Sequence, residues 1–259
     1  MRLLPRKPVV VKGTIIGGET PLVCLPIVAQ DERTLLSQAR NNVAQNPDLI
    51  EWRADFFDGV ADLGRLKQGL GTLGQTLGDI PLIFTCRSSA EGGARPIDSE
   101  IRLGIIETAT KSGVPDLIDF ELSSGETAVG QVIQVAGDCG KATILSFHDF
   151  EGTPSVELIK EKLARAQRTG GDIAKVAVMP RDYGDVLDLF RANLEAREAG
   201  VDVPIIAMAM GKIGVVTRLA GYLFGSDVTF AVGEEASAPG QIPIAQLRKG
   251  LEVWLGATR

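Results

Sequence analysis

The sequence predicts a (β/α)8 barrel, a single α/β domain over residues 1–259, with an N-terminal β-hairpin closing the barrel floor. Three observations predict it. Short β-rich apolar runs recur roughly every thirty residues, the spacing of βαβ units. Amphipathic segments separate them, several closed by glycine as helix C-termini commonly are. The runs number eight, and eight strands each followed by a helix close most economically into a barrel rather than an open doubly wound sheet.

In chain order, "VVVKGTIIGGE" reads as the hairpin, with Lys12-Gly13 in its turn and Gly17-Gly18 ending its second arm. The strand runs are "LVCLPIVA" from Leu22, "LIEWRAD" from Leu49, "PLIFTCR" from Pro81, "DLIDFEL" from Asp116, "ATILSFHDF" from Ala142, "DIAKVAVMP" from Asp172, "PIIAMAMG" from Pro204 and "DVTFAVGE" from Asp227. Helices are expected at "DERTLLSQARNNVAQ", "DSEIRLGIIETATKSG", "PSVELIKEKLARAQRTGG", "YGDVLDLFRANLEAREAG", "VVTRLAGYLFG" and "IAQLRKGLEVWLG". The connection from Gly59 to Asp79 is glycine-rich and carries the weakest helical pattern.

Composition narrows the function. A formal charge of −6 with scattered lysines and arginines lacks the basic stripe of a nucleic-acid surface and points to a small-molecule partner. Cys24, Cys86 and Cys139 are odd in number and set apart in apolar surroundings, which suits buried reduced thiols and shows no metal-ligand spacing. No run approaches the roughly twenty apolar residues of a membrane helix, and the N-terminus lacks the core of a signal peptide, so a cytoplasmic location away from membranes is expected.

Strands of a parallel barrel should be almost wholly apolar. These are not. With side chains alternating between faces, Glu51, Arg53 and Asp55 share the face opposite Ile50, Trp52 and Ala54. The same parity pairs Thr85 with Arg87, Asp119 with Glu121, Ser146 with His148, and Met208 with Met210, while Lys175 shares its face with Ile173, Ala177 and Met179. Charges gathered at strand C-termini, where barrel enzymes build their sites, describe a basic, partly enclosed pocket for a small anionic, hydroxylated ligand. For Asp55, Asp119 and Glu121 a purely structural ion-pair role is an equal reading. Lys175, desolvated and facing other cations, is expected to be a nucleophilic amine that forms an imine with a carbonyl; a barrel-end lysine paired with a carboxylate is the structural alternative, and spacing alone does not separate the two. His148, the sole histidine, lies on the neighbouring strand, within reach as general acid and base. A strand-end histidine oriented by Asp149 is the structural alternative.

Nearly the whole chain resembles the type I 3-dehydroquinate dehydratases, through "DLIEWRADFF", "PLIFTCRSSAEGG", "DLIDFEL", "SFHDFEGTP", "DIAKVAVMP", "IIAMAMGKIGVVTRL" and "VTFAVGEEASAPGQ" in that order. The resemblance implies a shikimate-pathway lyase that converts 3-dehydroquinate to 3-dehydroshikimate by syn elimination through a Schiff base at Lys175. His148 would be the acid and base, and Glu91 the carboxylate that orients it. Arg218 would bind the substrate carboxylate; Glu51, Arg53 and Arg87 would hold hydroxyls; Met208 and Phe230 would wall the pocket; Ser237 and Gln241 would close over it in a lid. The resemblance further implies a homodimer and no cofactor. The competing reading is another Schiff-base barrel, such as a class I aldolase acting on a sugar phosphate.

Overall fold

A computed structural model describes residues 3–257, so two residues at each end of the expected 1–259 domain lie outside the described residues. The hairpin is β1 (Val9–Val11) and β2 (Thr14–Ile16). Its two turn residues, Lys12 and Gly13, both have positive φ (46° and 80°), the condition of a tight two-residue turn that matches the twist of its strands. The barrel strands are β3 (Leu22–Ile27), β4 (Leu49–Arg53), β5 (Leu82–Thr85), β6 (Leu117–Glu121), β7 (Ala142–Asp149), β8 (Ile173–Val178), β9 (Ile205–Ala209) and β10 (Val228–Phe230). All pair in parallel, in the order β10-β3-β4-β5-β6-β7-β8-β9. The eight expected runs are the eight strands, the last of them trimmed to three residues.

The helices are α1 (Glu32–Ala44), α2 (Leu63–Leu77), α3 (Ser99–Lys111), α4 (Glu126–Asp138), α5 (Val156–Arg168), α6 (Tyr183–Glu198), α7 (Gly211–Ala220) and α8 (Ile244–Ala257). Aspartates cap α1, α2, α3 and α6, each accepting from first-turn N–H groups. Helix α2 forms despite its glycines because one of them is required. A Cβ on Gly69 would lie 3.0 Å from Cη2 of Trp52, so glycine there lets the helix settle on the fully buried indole. Leu66, Leu70, Leu73 and Leu77 bury the rest of that face. Helix α4, for which the sequence offered no separate expectation, buries Val129, Val132 and Ala136. Cys24 and Cys86 are buried thiols; Cys139 is only half-buried, because it sits at the C-terminal end of α4 rather than on a strand.

Along the barrel interior the character changes with height. The lowest inward positions are apolar: Leu22 and Cys24 on β3, then Leu49, Ile83, Leu117, Ile144, Ile173, Ile206 and Val228. Ile16 of the hairpin is fully buried against this layer, with Val9 and Val11 packed beside it, so the hairpin closes the floor. Two residues up strands β4 to β8 the interior turns polar, with Glu51, Thr85, Asp119, Ser146 and Lys175 all buried, while β9 and β10 stay apolar with Met208 and Phe230.

No ladder joins β9 to β10 among the described residues. The seam is held by the Asp227 N–H donating to the Ile205 carbonyl (2.6 Å), by Ile205 N–H on the Asp227 carboxylate (2.7 Å) and by Ala207 N–H on Ser226 Oγ (3.0 Å). The same carboxylate pairs with the buried Arg197 guanidinium at 2.5 Å. Removing one member of a buried pair strands the other charge, so Asp227→Asn should lower the unfolding free energy by about 3 kcal/mol in urea denaturation. An unchanged midpoint would show that the seam does not depend on this ion pair.

Candidate functional site

The polar layer opens at the strand C-termini into a partly enclosed pocket, lined by apolar walls and a few convergent polar groups as small-molecule sites are. Glu51, Arg53, Arg87, Glu91, His148, Lys175, Met208, Phe230, Ser237 and Gln241 all line it, joined by Phe150, Ala177, Met210 and Ala238. Of the residues expected from sequence, Arg218 alone is set back from the open space.

Lys175 and His148 come from paired strands, β8 and β7, in a register that sets Ser146 opposite Lys175 and His148 opposite Ala177. Two residues of offset on the same face bring both side chains to one cavity, with Ala177 leaving space between strand and ligand. The amine does not face cations alone, as the sequence suggested. Its Nζ lies 2.6 Å from Asp119 Oδ2 and 3.5 Å from Glu51 Oε1, and 4.9 Å from the centre of the Phe230 ring. Parity had identified those carboxylates as inward but not as the lysine's partners.

His148 is held by Glu91 rather than Asp149. Its Nδ1 is 3.0 Å from Glu91 Oε2, and the same oxygen accepts the His148 backbone N–H at 2.8 Å. The other carboxylate oxygen accepts from the Ser123 hydroxyl. A carboxylate surrounded by three donors asks for the proton on Nδ1, which leaves the Nε2 lone pair available for chemistry. Burial pushes the imidazole well below its ordinary pKa, and the nearby Arg87 and Lys175 cations add to this, so it is neutral near pH 7. Burial also raises Glu91, against the opposing hydrogen bond from Ser123 and the charge of Arg87. Asp149 instead accepts the N–H groups of Glu151 and Gly152 and shapes the turn after β7.

Glu91 owes its position to a tight loop. Residues Ser89–Glu91 form one 3₁₀ turn capped by Ser88, followed by Gly92 at φ 84°. A side chain on Gly93 would collide with the Arg87 carbonyl at 2.2 Å, so this stretch can be built only with glycine. Below it, Arg87 donates to Asp119, Glu121 and Ser146, each at 2.8 Å. Arg53 grips Asp55 with two bonds of 2.9 and 2.8 Å, and the Asp55 carboxylate also receives the N–H groups of Arg87 and Ala94. Asp55 and Glu121 thus build the pocket frame. Arg102 was not anticipated. It reaches from α3 to Glu121 (2.5 Å) and the Cys86 carbonyl (3.2 Å). A charge three and four residues before the buried Ile105 and Ile106 was the available signal.

The loop after β10 borders the pocket as a flap, contributing Ser237, Ala238 and Gln241. Ser237 N–H donates to Gln241 Oε1 (3.0 Å), Gln241 Nε2 returns a bond to Ser237 Oγ (3.1 Å), and Arg53 holds the Ser237 carbonyl (3.3 Å). Gly240, at φ 80°, passes so near α7 that a Cβ would meet the Gly211 carbonyl at 2.3 Å. Arg218 is almost fully buried in α7, not on its surface. It sits behind Met208 and Phe230, donating to the Phe230 carbonyl (3.2 Å) and the Pro239 carbonyl (3.1 Å). Among the described residues no carboxylate pairs with it, Nε has no acceptor, and burial lowers its pKa to about 10. A desolvated guanidinium without a counter-ion is unfavourable unless an anion arrives.

The family model for type I 3-dehydroquinase matches residues 23–256. The chain is 46% identical to a 3-dehydroquinate dehydratase of Geobacillus thermodenitrificans, over 94% of each chain. It is similar to the crystal structure of 3-dehydroquinate dehydratase from Geobacillus kaustophilus, with 43% identity, a TM-score of 0.97 and full coverage of both chains. The type I 3-dehydroquinate dehydratase of Clostridium difficile, solved with covalently modified comenic acid, matches at 37% identity and a TM-score of 0.94, over 97% of this chain and 99% of that one.

The sole histidine gives one imidazole signal, which makes its protonation directly readable. In an NMR titration downward from pH 8 the His148 ring should stay neutral through the ordinary histidine pKa of about 6.5 and protonate only well below it. A midpoint at the ordinary value would contradict the buried, cation-flanked setting. Because the folded-state pKa is depressed, this group's share of stability is intact above the unfolded value. It is lost progressively as pH falls from there toward the folded value.

Proposed function

The chain belongs to the type I 3-dehydroquinase family, and from that premise we propose that Lys175 and His148 perform the dehydration of 3-dehydroquinate through a covalent imine. The reaction removes water from 3-dehydroquinate to give 3-dehydroshikimate in the shikimate pathway. The observation that carries the assignment of residues is that the sole imidazole and Lys175 line one pocket, with Nδ1 of the imidazole bonded to Glu91.

The Lys175 amine adds to the C3 ketone, and the carbonyl oxygen leaves as water. The resulting iminium acidifies C2, whose proton passes to His148 Nε2. The imidazolium then delivers a proton to the C1 hydroxyl, which departs as water, and hydrolysis of the conjugated iminium returns the free lysine. One imidazole serving both transfers means that hydrogen and hydroxyl leave from one face, a syn elimination. Glu91 keeps the proton on Nδ1 so that Nε2 is the working atom. Arg53, Glu51 and Arg87 offer charged hydrogen-bonding groups to the substrate's hydroxyls, and Met208 and Phe230 bound the ring.

Arg218 serves the substrate carboxylate in this reading. Its setting supports that role: a buried cation without an anionic partner, bonded to the flap through Pro239, exchanges a neutral acceptor for a charged one as the flap readjusts. Ser237 and Gln241, presently bonded to each other, turn those groups to the ligand. A homodimer formed from single-domain chains in the cytoplasm belongs to the same reading. No helix among the described residues is long and apolar enough to cross a membrane.

Borohydride added to the protein with 3-dehydroquinate should fix the substrate on Lys175, read by peptide mass spectrometry. His148→Ala should still give that adduct while dehydration falls by about 10²–10⁴-fold, the usual worth of a positioned acid–base. Labelling at a different lysine, or full turnover without the imidazole, would overturn the assignment.

A further inference from the structure

Asp119 is the buried group nearest the reacting nitrogen, and the steps above give it no task. It stands at the middle of β6, 1% exposed, with both oxygens engaged. Oδ2 lies 2.6 Å from Lys175 Nζ; Oδ1 receives Arg87 Nη2 at 2.8 Å and the Ser146 hydroxyl at 2.6 Å. Glu51 is farther from the nitrogen, at 3.5 Å, and its nearer oxygen is occupied by Thr85. The Phe230 ring is the other close neighbour of the amine, while Arg53, Arg87 and His148 stand around the same cavity.

The atom balance of imine formation gives this contact a meaning. An ammonium and a ketone become an iminium and water: two of the three protons on nitrogen leave with the carbonyl oxygen, one stays, and the positive charge stays with it. The nitrogen therefore begins and ends this step as a cation with a proton to donate. An anion already bonded to the ammonium needs no rearrangement to bond the iminium.

Resting on the Schiff-base reading, we infer that Asp119 is a further catalytic residue, the fixed counter-ion that keeps the Lys175 imine protonated. An imine nitrogen is far less basic than its parent amine, and only its protonated form draws electrons strongly from C2. A carboxylate at hydrogen-bond distance supplies the missing basicity. Asp119 is not the group that removes protons from the nitrogen. Burial opposes its ionisation, but Arg87 and Lys175 outweigh that and hold it far below the usual carboxylate range. When C2 is deprotonated and the nitrogen becomes neutral, Arg87 still compensates the carboxylate from its other side, so the enamine does not leave a bare buried anion.

Asp119→Asn preserves shape and removes the charge. With 3-dehydroquinate, kcat should fall by at least about 10²-fold, the scale of losing one preorganised electrostatic group, while KM moves far less because Asp119 binds the lysine and not the substrate's polar groups. Turnover within about threefold of the unsubstituted chain would overturn the inference. Borohydride labelling of the unsubstituted chain separates the two claims. Labelling at Lys175 with an active Asn variant sinks only the role of Asp119, whereas no labelling at Lys175 sinks the Schiff-base reading and this inference with it. Should the variant fail to fold, the natural chain decides. With lysine labelled at ¹⁵Nζ and the adduct formed from 3-dehydroshikimate, the nitrogen should show a one-bond coupling to hydrogen in mildly alkaline buffer, and an unprotonated imine signal there overturns the inference.

Discussion

Charge can be kept inside this barrel only because each inward carboxylate meets a cation, and that constraint organises the rest of the molecule. Isolated, any one of Asp55, Asp119 or Glu121 would be too costly to bury. Bridged, Asp119 joins Arg87 to Lys175, Glu121 joins Arg87 to Arg102, and Asp55 joins Arg53 to the backbone of the following loop. The chain of pairs crosses β4, β5, β6 and β8 and fixes the side chains that surround the ligand space. The apolar layer and hairpin beneath exclude water from one end, which strengthens every one of these interactions.

What could be read from the sequence follows from which residues obey a period. Strands alternate strictly, so Glu51, Arg53, Arg87, Asp119, Ser146, His148 and Lys175 could be set inward from parity alone. Positions on loops obey no such rule. Glu91, Ser237 and Gln241 emerged only from the family resemblance, and Ser123, which holds Glu91 from the far side, did not emerge at all. Arg218 read as a surface residue by helix pattern, because the flap that buries it lies some twenty residues further along the chain. Helix α2 was obscured by its glycines, one of which, Gly69, lets it lie against Trp52, a case of packing overriding propensity.

The pairing of lysine and histidine illustrates how fold chemistry divides labour. Lys175 sits against two carboxylates, whereas His148, bonded to Glu91 through Nδ1, is held below its ordinary pKa by burial first and by the Arg87 and Lys175 cations second. A neutral imidazole that can take the C2 proton and an iminium nitrogen that can receive the electrons it leaves behind are what successive proton transfers at adjacent carbons require. Their difference arises from neighbours two residues apart on adjoining strands, not from separate compartments.

The unladdered seam between β9 and β10 makes the barrel mechanically uneven. The pocket's ion-paired residues Arg53, Asp119, Glu121 and Lys175 stand on the continuous run of strands β4 to β8. Met208 and Phe230 stand on either side of the seam, with Arg218 bonded to the carbonyl of one and close to the sulfur of the other. The two sides of the pocket thus differ in backbone continuity as well as in polarity: the charged arc rests on paired strands, the greasy wall on a junction closed mainly by side chains.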